Sequence, residues 1–133
     1  MADARRRYTD DVPDEITIRL RDLCLELPDA YEERAWVGTR WMVRKRTFAH
    51  VLGVRVDDAA PSVVLSFRSA GEELETLRHV GHPFVVLGWG RDAMGLVLDA
   101  ETDWGEVREL VQDSFCVLAP KKLITLVDRP SGP

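Results

Sequence analysis

Short connections between strand-like runs limit this chain more than any other feature. Residues 41–43 and 47–52 are β-branched and aromatic, and the cations Arg44, Lys45 and Arg46 lie between them. They read as the two arms of a hairpin. Residues 84–89 and 94–98 repeat the arrangement around Gly90-Arg91-Asp92. Residues 31–36 are a candidate first strand, and 63–67 form a short apolar one after a loop over 56–61. Connections of the hairpin type predict a mostly antiparallel sheet.

Three stretches carry the helical period instead. Ile16, Leu20, Leu23 and Leu27 fall on one stripe behind Pro13, Asp14 and Glu15. Proline suits a first helical turn, carboxylates suit its positive end, and Pro28 stops it. Ser69 with Glu72 matches a capping box opening a helix to about His79, with Leu74 and Leu77 inward and Gly81 at its exit. Asp103 with Glu106 opens the last helix, whose inner face is Val107, Leu110, Val111, Ser114 and Leu118, and Pro120 ends it. Residues 121–127 read as one more turn or a short extended tail. The order is helix, three or four strands, helix, two strands, helix. That order predicts an α+β, two-layer fold with the helices on one face of the sheet. At 133 residues one domain is expected, over 11–127, with 1–10 a flexible N-terminal arm and 128–133 a frayed tail.

Charge is sorted along the chain. The formal net charge is −5 and the pI about 5.2, which opposes tight sequence-independent binding to nucleic acid. Residues 99–113 hold six acids against Arg108 alone, whereas 40–55 hold five cations and no acid. Arg44, Lys45 and Arg46 at the hairpin tip, with Arg40, Lys121 and Lys122 flanking, are the candidate contacts to phosphate. A solvated tip that discourages edge-to-edge pairing accounts for the same cations. The apolar runs are too short to cross a bilayer. The N-terminus has basic residues but no apolar core behind them, so no secretory signal is read and the cytosol is expected.

No residue set announces a reaction. Cys24 and Cys116 sit in apolar helical patterns and read as reduced thiols acting as small hydrophobes. His50, His79 and His82 lack paired ligand spacing with the cysteines, so no metal site is expected. Ser66, Ser69 and Ser114 stand in no nucleophile elbow. Ser114 could bond back to a helix carbonyl. Gly88-Trp89-Gly90 is a turn rather than a phosphate loop. Trp36, Trp41, Trp89 and Trp104 form a group able to line a small-ligand pocket, with Trp41, Trp89 and Trp104 the candidates, the alternative being that they pack between helices and sheet.

The chain resembles the MmcQ/YjbR family over nearly all of residues 13–126. The likeness lies in the first helix ending LELP, then EERAW, the basic hairpin with FAHV, VVLSF, HPFVVL, and the closing DWGEVRELVQDSFCVLAPKKL. Where members of that family typically carry Gly-Lys before the hairpin Phe-Ala, Arg46-Thr47 stands here. The resemblance implies an α+β fold grouped with CyaY-like proteins and related to type III secretion chaperones. It also implies DNA binding through wing-like hairpins. The expectation is a non-enzymatic cytosolic module without cofactor that binds DNA weakly through its basic tip. The alternatives are a protein-interaction adaptor or homodimer, or a small-ligand protein with a Trp-lined pocket.

Overall fold

A computed structural model describes residues 5–127. In chain order the elements are β1 (Arg6–Thr9), α1 (Asp14–Cys24), β2 (Tyr31–Arg34), β3 (Thr39–Val43), β4 (Arg46–Val56), β5 (Ser62–Arg68), α2 (Gly71–Val80), β6 (Phe84–Val85), β7 (Ala93–Leu98), α3 (Trp104–Leu118) and α4 (Lys121–Ile124). The strands form one seven-stranded sheet, ordered β2-β3-β4-β5-β7-β6, with β1 paired to β4 off that path. All pairings are antiparallel. The helices cover one face, giving the expected α+β architecture.

β4 organises the sheet. β5 pairs with it from Ala49 to Val54 along one edge. β3 pairs with it from Arg46 to Val51, and β1 from Gly53 to Val56. Since β5 overlaps both of those spans, β3 and β1 must share the other edge end to end. Residues 6–9, expected to lie in a flexible arm, are therefore a strand. They fill the part of the β4 edge that β3 does not reach, and so satisfy backbone groups that would otherwise be unpaired. The remainder of the expected arm, 1–4, and the expected frayed tail, 128–133, lie outside the described residues.

A register shift at Trp41/Met42 brings Phe48 and Ala49, neighbours in sequence, into the same helix-side core. This is the action of a β-bulge. Phe48 then meets Phe115 of α3 edge to face at 5.4 Å. Leu20 and Cys24 of α1, Val107, Val111 and Phe115 of α3, and Leu123 of α4 complete that core with Val51, Leu65, Phe67 and Met94. A second, smaller cluster lies on the opposite, helix-free face: Leu52, Val54, Val64 and Leu87, with Tyr8, Val37, Trp89 and Val97 against it.

Two local expectations change. Ser69 does not cap α2. The N-cap is Ala70, with no side-chain bond, and the Ser69 amide instead donates to the Asp92 carbonyl at 2.9 Å. The second hairpin is shorter than expected. Only Phe84 and Val85 pair with β7, and 86–92 leave the ladder, carrying Leu87 and Trp89 onto the helix-free face. Asp103 does cap α3, accepting from the Gly105 and Glu106 amides.

Candidate functional site

The basic tip is a two-residue turn. Val43 pairs with Arg46, and Arg44 and Lys45 between them have φ of 49° and 67°. Both central residues are left-handed, the pattern of a type I′ turn that Asn-Gly normally supplies. A charged side chain on a left-handed backbone carries strain that glycine would not. The tip thus keeps two cations at a conformational cost.

The six basic candidates do not form one face. Arg40 bonds Glu33 at 2.7 Å, and Arg44 lies 3.3 Å from Asp29. Lys45 and Arg46 are exposed and have no ion pair among the described residues. Arg40 pairs across the ladder with His50, on the helix-free side. Arg46 pairs with Val43, a core residue of the helix side. Lys121 and Lys122 open α4, whose Leu123 is buried in the helix-side core. Arg46, Lys121 and Lys122 therefore share a side of the sheet, and Arg40 is opposite.

Nor do the three tryptophans meet. Trp41 is fully buried on the helix side. Its indole N–H donates to Glu32 Oε1 at 2.9 Å, and Arg21 of α1 grips the same carboxylate at 2.8 and 3.0 Å. The Arg21 hydrogen bond holds the Glu32 carboxyl below its usual range, and the Trp41 bond adds to this. Trp104 packs against the helix-side core, with the Arg19 guanidinium 4.6 Å from its ring centre. It lines a cleft of about 660 Å³ with Ile16, Val63 and Leu98. Trp89 belongs to the other face.

There the sequence missed a cluster. Tyr8, Trp36, His50 and Trp89 lie ring to ring, with centroid separations from 5.3 to 6.5 Å. Trp36 is 68 % exposed, whereas His50 beneath it is buried. The His50 Nε2–H donates to the Val37 carbonyl at 2.6 Å. Burial pushes the imidazole pKa below 6.5, partly opposed by that bond, and the nearby Arg40 charge lowers it further. The sequence grouped Trp36 and Trp89 only as tryptophans able to line a pocket, and set Tyr8 in a supposed arm. Nothing in their spacing joins them.

Cys24 is buried in the core, and desolvation raises its thiol pKa well above the ordinary value. Cys116 is half-buried and lines a hollow of about 270 Å³ beside Arg68. Ser114 does not bond back to its own helix; it ties the sheet to α3. Its hydroxyl donates to the Phe48 carbonyl at 2.6 Å and accepts from the Arg68 amide at 2.7 Å. Among the described residues no group of three His, Cys, Asp or Glu side chains is placed to hold a metal ion, and no helix is long and apolar enough to cross a membrane.

A family model described as YjbR matches residues 25–117, more than half of the chain. No curated protein matches the chain.

Proposed function

This chain belongs to the YjbR family, and on that premise we propose that it is a non-enzymatic cytosolic module that docks weakly on DNA. The hairpin tip rests on the phosphate backbone. One observation carries this reading: Lys45 and Arg46 stand exposed and unpaired among the described residues, on a turn whose left-handed backbone favours glycine. Strain of this kind persists where the side chain is wanted. Arg44 and Arg40 contribute less, because each already neutralises a carboxylate. Lys121 and Lys122, on the Arg46 side of the sheet, extend the contact. Cations on phosphates hold and orient without reading sequence, so affinity is expected to be indifferent to base composition. Fluorescence anisotropy of a labelled duplex at low salt tests this. The Lys45→Glu/Arg46→Glu protein should bind at least tenfold more weakly, and Arg44→Glu should lose less. Equal binding by all three proteins would remove the tip from the mechanism.

The Trp104 cleft supports a second reading, a site for a small molecule with an apolar body set against Ile16, Val63 and Leu98. A ligand there would change the fluorescence of Trp104, and a Trp104→Phe protein would lose that response. A metabolite panel producing neither fluorescence change nor thermal shift would dismiss it.

A further inference from the structure

We infer that the cleft beside Trp104 takes a free α-amino acid with a large apolar side chain. The inference rests on the small-molecule reading of that cleft and is independent of DNA binding.

The cleft lies on the helix side of the sheet, between the start of α1 and the start of α3. Ile16, Val63 and Leu98 make its apolar wall. Val63 and Leu98 face each other across the β5–β7 ladder. Leu98 is buried, whereas Ile16 and Val63 are only half-buried. A hydrocarbon side chain laid on this wall removes apolar surface from water, and a larger one removes more. The volume of about 660 Å³ suits a small-molecule site.

The charges lining the cleft select the head group. The Arg19 guanidinium lies over the Trp104 ring, 4.6 Å from its centre. It makes no ion pair among the described residues. A guanidinium held over an aromatic face is positioned by the ring and still has N–H donors to spare. Their fork matches a carboxylate. Glu15 and Asp99 line the same cleft, also without an ion pair among the described residues. Asp99 Oδ1 accepts from the Glu101 amide at 2.8 Å, which leaves its Oδ2 for a ligand. The Thr102 hydroxyl accepts from the Asp99 amide at 2.7 Å and keeps its own proton to donate. A simple anion answers Arg19 but meets two like charges. A simple amine answers the two acids but meets Arg19. An α-amino acid carries both signs on one small head, and its side chain reaches the apolar wall.

Titration of the full chain with L-leucine and with L-phenylalanine, followed by calorimetry and tryptophan fluorescence, tests the inference. Both should bind saturably, and Trp104→Phe should lose the fluorescence response. N-acetyl-L-leucine lacks the ammonium and L-leucinamide lacks the carboxylate. Each should bind at least about tenfold more weakly than L-leucine. Glycine, the same head without the side chain, should bind more weakly still. Arg19→Met should weaken L-leucine about tenfold and should not weaken L-leucinamide. Glu15→Gln should weaken L-leucine and should not weaken N-acetyl-L-leucine. Both side chains are exposed, so both variants should keep the native thermal transition. Absence of binding by both amino acids would overturn the inference. If another metabolite then acts through Trp104, only the amino-acid assignment falls; silence from the whole panel removes the cleft reading with it. Either capped analogue binding as tightly as L-leucine would also overturn it, as would L-leucine affinity unchanged in Arg19→Met.

Discussion

Ser114 joins the two layers through a single hydroxyl. Fully buried, it donates to a carbonyl freed by the bulge at Phe48 and accepts from the amide at the end of β5. Ser114→Ala leaves both backbone groups dry and unpaired, which should cost about 2–3 kcal/mol. The urea midpoint measures it, and an unchanged midpoint would mean the hydroxyl is dispensable. The sequence placed Ser114 on the inner face of its helix, but its partners come from a bulge that no local pattern encodes. His50 sets a pH dependence. Its folded pKa lies below 6.5 because burial disfavours the cation, so the unfolded chain binds the proton more readily. The contribution is complete above 6.5 and is lost as pH falls through the lower folded value. Glu32, also depressed, acts in the same sense further down, its contribution draining below 4.5. Denaturation midpoints followed through mildly acidic pH should fall for the native protein. They should stay flat for His50→Gln until the carboxylates titrate. A native profile equally flat there would contradict the burial argument.

At the scale of elements, the proposed DNA contact sets stability against binding at the tip. Lys45→Gly relieves one left-handed residue and should stabilise the fold by about 1 kcal/mol, while removing one phosphate contact. Denaturant titration beside anisotropy should therefore move in opposite directions. A stabilised variant with undiminished DNA affinity would show that Lys45 takes no part. The β3–β4 hairpin was legible because β-branched and aromatic runs face each other across a short polar break. The stripes of α1 and α3 were legible through helical spacing, and Asp103 as a cap through its distance from Glu106. β1 was not legible. Arg5-Arg6-Arg7 has the composition of a solvated arm, and only the length of β4 makes it a strand. Ser69 does not cap α2 because the helix opens at Gly71, whose φ of 63° puts the N-cap at Ala70, one residue later than the Ser69–Glu72 spacing suggests.

At the scale of the molecule, the sheet separates two surfaces of different character. The helix side is a packed core capped by an acidic α3, with Arg46, Lys121 and Lys122 on that side of the sheet. The other side presents the aromatic cluster of Tyr8, Trp36, His50 and Trp89. The sequence sorted charge correctly along the chain but could not assign it to faces. That assignment depends on strand parity and on the bulge, which together put Arg40 and Arg46 on opposite sides and pull Trp41 into the core. Lys45 and Arg46, without an ion pair among the described residues, set the electrostatic signature expected of the proposed contact. The decisive measurement is the salt dependence of duplex binding by anisotropy, for the native chain and for Lys45→Glu/Arg46→Glu. The native plot of log affinity against log salt should fall, and the double variant's slope should be shallower by roughly 1.8, two phosphates at about 0.9 each. No binding at low salt, or a slope the double reversal leaves unchanged, would contradict docking through the tip.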